Sequence, residues 1–388
     1  MNFLIIHNEY SIRGGEESVV EFQKTLLEKH GHKVVLYTRS YSEMNKWFLG
    51  KFWGMFTSVV NFRSFRDLKA ILKENDFDAV ILHNLFPIIS PAIVTFLRKK
   101  GLKVFQIVHN YRLFCPIGIL YRDGKICKKC LGKGREWNCF KNRCAGNAIA
   151  SFSFFVRYYL VRKLGYYNKV NNFLCLNKVQ MDLIKEYLNP KSKVSLLPNA
   201  IDVSANSEIK SCNRKYISFV GRITEEKGFH DFLKIAKKMP DYEFAVAGAK
   251  NNFQDREIPS NVKFFGFLDK EQLNQFYLES KLLLFLSNWY EGFSMVVIEA
   301  MKRGVPVVAY DILAANDVVE NGKNGFIVSF KDYDAIVSTI ERLFSDNTLF
   351  ESLSAFARER VVGEYSENRY YERLIDIVKS EIDKDLSL

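Results

Sequence analysis

Glu291 and Glu299 stand with seven residues between them in the stretch NWYEGFSMVVIEAMKRGVPVVA. Gly292 and Phe293 read as a tight turn. SMVVIEAMKR then reads as a helix that stops at Gly304, ahead of Pro306. At ~1.5 Å per residue the two acids would lie about 12 Å apart. A retaining glycosidase needs its carboxyls about 5 Å apart, and a two-metal centre needs ~4 Å between ions. The spacing instead suits an elongated ligand gripped at both ends, with helix-start amides between the grips for an anion. A nucleoside diphosphate sugar has that shape. A surface acid beside a cap and a second acid on a solvated helix face would leave the same pattern.

Cations stand upstream. In FVGRITEEKG, Gly221 ends a strand, Arg222 follows, and Lys227 precedes Gly228. Arginine forks two phosphate oxygens and lysine adds a compact charge, so the pair reads as a diphosphate grip. A solvated Arg and Lys is the bland alternative. Near the N-terminus, SIRGGEESVV places Gly14 and Gly15 before a helix that begins near Glu16. A glycine pair lets backbone approach a ligand closely, and the helix start offers amides. Glu16 and Glu17 would repel a phosphate unless they turn away. The stretch matches neither GxGxxG nor a Walker motif, and a simple turn is the alternative. His7, His83 and His109 each follow an apolar run, FLII, AVIL and FQIV. Strand ends are where ligand residues gather in an open parallel sheet, although a lone histidine there is commonly structural. His109 stands out, because HNYR opens an unusual polar segment.

Five of the seven cysteines fall together: Cys115, Cys127, Cys130, Cys139 and Cys144. CKKC followed by C-x4-C has the spacing of a four-thiolate zinc site on Cys127, Cys130, Cys139 and Cys144. With no histidine in the cluster, such a zinc would brace a loop rather than catalyse. Reduced thiols or disulfides are the alternatives, disulfides being disfavoured in a cytosol.

The elements that must position these residues alternate along the chain. FLII, KVVLYT, DAVIL and KVFQIV read as buried strands, with EESVVEFQKTLLEKH and SPAIVTFLRKK as helices between them. YISFVG, YEFAVAG, VKFFGF, KLLLFLS and VPVVAY repeat the style, with EEKGFHDFLKIAKKM, DKEQLNQFYLES and FSMVVIEAMKR as helices. That is parallel α/β architecture. The polar stretch 196–215, with Pro198, divides it. The reading is an N-terminal domain over 1–197 with a Cys-rich insert at about 115–145, a C-terminal domain over 198–364, and a helix over 365–388 that packs back on the first domain. Two doubly wound domains of this kind leave a central cleft lined by strand carboxyl ends.

Charge and composition narrow the partners. The chain has 388 residues, 48% of them hydrophobic and 14% aromatic, and a formal net charge of +12. No run of 18 apolar residues exists, which argues against a transmembrane helix. MNFLIIHNEY reads as a first strand rather than a leader, so the expected location is cytoplasmic. A basic, aromatic chain leans towards an anionic membrane surface. Segments 43–66 and 147–169 read as amphipathic membrane-facing helices, with core helices carrying a few exposed bases as the alternative.

In order along the chain, PNAID, GRITEEKG and WYEGFSMVVIEAMKRGVPVVA resemble the retaining glycosyltransferases of family 4, which have the GT-B fold of two Rossmann-like domains. GGEE and HNYRLFCPIG with its cysteine-bearing insert resemble the subset that builds bacterial surface polysaccharides, including capsule, O antigen and lipopolysaccharide. The resemblance implies that Arg222 and Lys227 hold the donor diphosphate and that Glu299 accepts from the ribose hydroxyls. It implies that Glu291 faces the transferred sugar, with Gly221 and the amides of Gly292, Phe293 and Ser294 beside the donor. Gly14 and Gly15 would close over the diphosphate, and His109 would line the sugar and acceptor side. The implied donor is a UDP-sugar, with GDP-mannose second, and the implied acceptor a lipid-linked or lipopolysaccharide saccharide at the inner face of the cytoplasmic membrane. No Asp-x-Asp sits at a strand end, so no divalent metal is expected to be required. A GT-B nucleotide-sugar epimerase is one alternative. A zinc-containing nucleic-acid-binding protein is another, disfavoured because no basic helix or aromatic RNA platform is present.

Overall fold

The apolar runs become strands of two parallel sheets in a computed structural model that describes residues 1–10, 14–46, 57–188, 192–203, 214–249, 258–312 and 315–386. The chain divides into two units. The first comprises 1–120, 127–198 and 371–388, the second 121–126 and 199–370.

In the first unit the described order is β1 (Asn2–Glu9), α1 (Gly15–Lys29), β2 (Lys33–Ser40), α2 (Phe62–Glu74), β3 (Ala79–Leu82), α3 (Ala92–Lys99) and β4 (Lys103–Val108). A hairpin follows, β5 (Tyr121–Arg122) and β6 (Lys125–Ile126), whose contacts place it in the second unit. The first unit resumes with α4 (Trp137–Lys141), α5 (Ala148–Lys163), β7 (Asn172–Cys175), α6 (Lys178–Tyr187) and β8 (Lys193–Leu196). The sheet order is β2-β1-β3-β4-β7-β8, parallel throughout. β3 and β4 are buried along their whole length, the pattern of strands covered on both faces. The order reverses between β1 and β3, and His7 and His83 stand at that reversal.

The second unit holds β9 (Tyr216–Val220), α7 (Phe229–Lys238), β10 (Phe244–Ala247), β11 (Val262–Gly266), α8 (Lys270–Glu279), β12 (Ser280–Phe285), α9 (Met295–Lys302), β13 (Val307–Tyr310), β14 (Gly325–Val328), α10 (Tyr333–Ser345), α11 (Asn347–Glu364) and the start of α12 (Glu367–Leu386). Its parallel sheet runs β11-β10-β9-β12-β13-β14. Side chains alternate faces along a strand, and the core divides accordingly. Ile217, Phe219, Leu282, Leu284, Val308 and Tyr310 pack in one cluster with α7 and α10. Tyr216, Leu283, Phe285, Val307 and Ala309 pack in another with α8, α9 and α11. The reversal here lies between β9 and β12, the place where ligands bind in such sheets.

Two further elements bear on function. α5, from the 147–169 segment, buries Ser151, Arg157, Tyr158 and Val161 while Ile149 (86%), Phe152 (43%) and Tyr159 (42%) are exposed. The other acid-poor segment, 43–66, lies largely outside the described residues until α2 begins. Among the described residues no helix is long and apolar enough to cross a membrane. From Tyr371 onward α12 belongs to the first unit. There Tyr371 stacks on His30 at 3.6 Å between centroids, and Glu381 pairs with Lys193.

Candidate active site

The second unit assembles its charged residues from the ends of the two strands that flank the reversal. After β9, Gly221 and Arg222 lead into a single turn over Glu225–Lys227. After β12, the chain runs through Ser287 and Asn288 to Glu291. Asn288 ties the two loops together: its amide donates to Glu226 O at 2.9 Å and its Nδ2 to Glu225 O at 3.0 Å. Lys227 Nζ donates to Glu291 Oε1 at 2.7 Å and lies 5.7 Å from the centre of the Trp289 ring. Ser287 Oγ donates to the same carboxylate oxygen. Glu291 is 8% exposed, so this ion pair is largely shielded from water. Arg222 is the exposed member, at 63%, and sits 3.5 Å from Glu226.

Gly228 makes the close packing of this corner possible. Its φ of +77° is left-handed, and a Cβ there would stand 2.0 Å from Leu286 O. The turn carrying Lys227 is thereby pressed against the end of β12, within reach of Glu291.

Ser294 caps α9 in extended backbone, and the chain ahead of it contains Gly292 and Phe293, whose ring packs 5.7 Å from that of Tyr365. Glu299 lies within α9. Desolvation by its surroundings raises its carboxyl above the ordinary value, opposed by Tyr277, Lys270 and Lys302. Tyr277 donates its hydroxyl to Glu299 Oε2 at 3.3 Å. So Lys227 and Glu291 meet directly, Arg222 lies on the same loop, and Glu299 is held separately on the α9 side of the sheet.

The remaining candidates lie in the first unit. His109 follows β4 and its Nε2 is 2.8 Å from His83 Nδ1, while His83 Nε2 is 2.9 Å from Gln23 Oε1. With Gln23 Oε1 accepting, His83 carries its proton on Nε2 and accepts at Nδ1 from His109 Nε2–H. That leaves His109 Nδ1 as an acceptor. Burial, then the neighbouring His109 and His7, pushes His83 well below its ordinary value, so it is neutral at pH 7. His7 is 1% exposed and its Nε2 lies 3.8 Å from Glu17 Oε1.

Gly14 is the N-cap of α1 and Gly15 its first residue. Of the adjacent acids, Glu17 folds back onto that end in a capping box, so its charge stays at the helix start. Glu17 accepts from the amides of Tyr10 at 2.9 Å and Gly14 at 2.8 Å, and Asn110 Nδ2 donates to Glu16 at 2.9 Å. A Cβ on Gly15 would meet nothing within 4 Å, so packing inside the unit does not require glycine there.

The cysteines gather as their spacing suggests, but around a wider set. Cys139 is hydrogen-bonded to Cys144, and Cys130 has Cys115, Cys144 and Cys127 around it. Burial and these neighbours push the Cys130 thiol up to about 12, which keeps it protonated at neutral pH. None of the six described cysteines is in a disulfide. Among the described residues no group of three or more His, Cys, Asp or Glu stands ready to hold a metal ion. The zinc expectation therefore rests on the sequence spacing alone.

Sequence reasoning missed the supporting residues: Ser287 on Glu291, Asn288 between the loops, Tyr277 on Glu299, Gln23 behind the histidines. All are common polar types whose partners lie far along the chain, and only the β3–β4 pairing that aligns His83 with His109 was open to inference.

Comparison with known proteins places this geometry. The family described as Glycosyl transferases group 1 matches residues 202–360, and the one described as Glycosyltransferase Family 4 matches residues 12–205. The capsular polysaccharide biosynthesis glycosyltransferase CapM of Staphylococcus aureus is 26% identical over 250 residues, 58% of this chain and 65% of CapM. The first curated relatives are matched over about half to two thirds of their own length, 46% and 65%. Among solved structures, HepE of Anabaena in complex with UDP aligns over 98% of this chain and 100% of that one, with a TM-score of 0.66 and 16% identity. The lipopolysaccharide outer core galactosyltransferase WaaB aligns over 98% and 100% with a TM-score of 0.64 and 16% identity. At such identities the likeness shows the fold, GT-B. The family 4 match covers half of the sequence and the group 1 match most of the rest, and the chain belongs to glycosyltransferase family 4.

Proposed function

We propose that this chain transfers a sugar, with retention of anomeric configuration, from a nucleoside diphosphate sugar to a lipid-linked or lipopolysaccharide saccharide during assembly of a surface polysaccharide. The observation that carries the reading is the shielded Lys227–Glu291 pair, held where β9 and β12 end at the sheet reversal. The names of relatives such as CapM support the acceptor class.

Breaking the anomeric C–O bond leaves positive character on the sugar and negative charge on the departing diphosphate. Arg222 and Lys227 stabilise that charge from fixed positions, so little reorganisation is needed at the moment of reaction. A diphosphate beside Lys227 competes with Glu291 for the ammonium and turns the Glu291 carboxylate towards the sugar. Glu299, supported by Tyr277, accepts from the ribose hydroxyls. Gly14 and Gly15 leave backbone room for the donor phosphates, and a phosphate reaching the Gly14 amide displaces the Glu17 carboxylate bonded to it. His109, its tautomer set through His83, offers Nδ1 to a sugar hydroxyl. A UDP-sugar is the first donor to try, since HepE was solved with UDP, and GDP-mannose the second.

Thermal denaturation with UDP, GDP, ADP and dTDP tests the donor. A nucleotide at ~100 times its Kd raises the stability of a protein that binds it only when folded by about 2.7 kcal/mol. UDP is expected to raise Tm; if none of the four does, the reading fails.

The acceptor reading includes peripheral contact with an anionic membrane at its cytoplasmic face. Its support is the exposed stripe Ile149, Phe152 and Tyr159 on α5, edged by exposed Trp137. Phe155 packs edge-on against Trp137 at 5.1 Å, and Lys163 Nζ lies 5.8 Å from the Tyr159 ring. Aromatic rings settle at headgroup depth, and each cation near anionic lipid contributes about 1 kcal/mol. Co-sedimentation with anionic vesicles at low salt and release at high salt is expected; indifference to vesicles at both salts rejects the contact.

A further inference from the structure

α5 is inverted for a surface helix: it turns aromatic rings outward and an arginine inward. Arg157 is 6% exposed. Its guanidinium carbon lies 4.2 Å from the centre of the Phe86 ring, and Nη2 donates to Pro116 O at 3.2 Å. A second guanidinium reaches the same ring. Arg112 Cζ is 4.5 Å from the Phe86 centre. The backbone holds Arg112 there, because its amide donates to Asn110 Oδ1 at 3.1 Å. Gly118, with φ +88°, leaves the space that the Arg112 stem fills: a Cβ on it would stand 2.6 Å from Arg112 Cγ.

Both arginines retain unused hydrogen-bonding capacity. Arg112 Nη1 and Arg157 Nε are buried without a hydrogen-bond partner among the described residues. They line one cavity of the first unit together with Lys133, Arg162 and His109, and among the described residues no aspartate or glutamate lines it. Arg162 is already engaged, by Glu136 at 3.1 Å and by Gly132 O at 2.8 Å. Burial first, and then the like charge of Arg112, lowers Arg157 to about 10. Two neighbouring guanidiniums, one of them fully desolvated, are costly to keep without a counter-charge, and the unspent N–H groups add to that cost. Each guanidinium can fork two oxygens of an anion, and both line the same cavity.

We propose that Arg112 and Arg157, stacked on Phe86, bind an oxyanion of the acceptor, a phosphate or a carboxylate, in the cavity that His109 also lines. The inference rests on the sugar-transfer reading, and it narrows the acceptor to one bearing negative charge near the hydroxyl that attacks. A lipid diphosphate and an acidic sugar share this chemistry.

Calorimetric titration of the full chain with farnesyl diphosphate and, separately, with glucuronic acid distinguishes the two sources. Saturable binding of either is expected, weakened at least about tenfold in Arg112→Gln and in Arg157→Met. The UDP affinity of both variants is expected to stay within about twofold of the parent, since neither residue is assigned to the donor. Arg157→Met is expected to melt no lower than the parent, because it removes a buried cation beside another. Absence of binding by both probes, equal affinity in parent and Arg112→Gln, or an equal loss of UDP affinity overturns the proposal. A parent that binds farnesyl diphosphate at these arginines yet ignores every nucleotide fails the transfer reading while keeping the anion site.

Discussion

At the ends of β9 and β12 each cation assigned to the donor meets a carboxylate, Lys227 with Glu291 and Arg222 with Glu226. At the ends of β3 and β4 in the first unit, Arg112 and Arg157 meet a phenylalanine face and a carbonyl instead. The two arrangements imply different binding thermodynamics. A phosphate arriving at Lys227 displaces an acid, so its binding is an exchange, and much of its attraction goes into breaking a shielded pair. An anion arriving at the arginine pair displaces no acid from the cavity lining, so the full charge interaction appears as affinity. In the proposed reading the exchange has a use: the displaced carboxylate becomes available to the sugar at the moment the diphosphate is seated.

Breaking the exchange should have the largest effect. Lys227→Met is expected to lower transfer about 10²–10³-fold, the usual loss on removing one preorganised donor to a developing anion. It should also abolish the UDP thermal shift. Transfer assayed from a UDP-sugar at parental rate would show that the pair is structural and that the contrast with the first unit is empty.

Glycines sharpen the same contrast at smaller scale. Gly228→Ala must relieve a 2.0 Å clash with Leu286 O in a left-handed backbone and should cost about 2 kcal/mol or more, read as a lowered urea midpoint. Gly15→Ala meets no atom within 4 Å and should change stability by less than about 0.5 kcal/mol. It should nonetheless slow transfer if that backbone approaches the donor. A Gly15→Ala enzyme as fast as the parent would remove Gly15 from the site.

The smallest predicted effect is a difference in sign with pH. Burial works against the charge of Glu17 in the first unit, but the Tyr10 and Gly14 amides hold its carboxyl below the ordinary 4.5. Its stabilisation is therefore present above that value and is lost as pH falls through the lowered folded value. Glu299 is raised by desolvation. Its stabilisation is present below 4.5 and is lost as pH rises through the higher folded value. Urea midpoints followed from acid to neutral pH should show the parent gaining on Glu17→Gln and losing ground to Glu299→Gln. Parallel curves for the two variants would contradict both assignments.

Much of the scaffold was legible. Fully buried strands such as KVFQIV and KLLLFLS announce themselves as continuous apolar runs, and SMVVIEAMKR ends at Gly304, whose φ is +69°. β7, β8 and β14 escaped because runs of four residues, NFLC, KVSL and GFIV, carry little periodicity. Lys227 and Glu291 were legible as types but not as partners; their 2.7 Å contact depends on the β9–β12 adjacency, which no local pattern encodes. Which face of α5 turns inward was not legible. Both of its faces are apolar enough to be core, and what turns Arg157 inward is Phe86, brought close by folding. For the same reason the arginine pair left no trace in the sequence.

The path of the chain has a consequence for how such proteins can be recombined. It passes from one unit to the other after residues 120, 126, 198 and 370. Splicing at the 198 boundary alone would join a hairpin raised with one donor half to a foreign one, and would supply the acceptor half with a stranger's final helix. Exchange of whole halves between relatives, in evolution or in the laboratory, thus has to carry three pieces across together, which favours drift of specificity within each half over wholesale trading of modules.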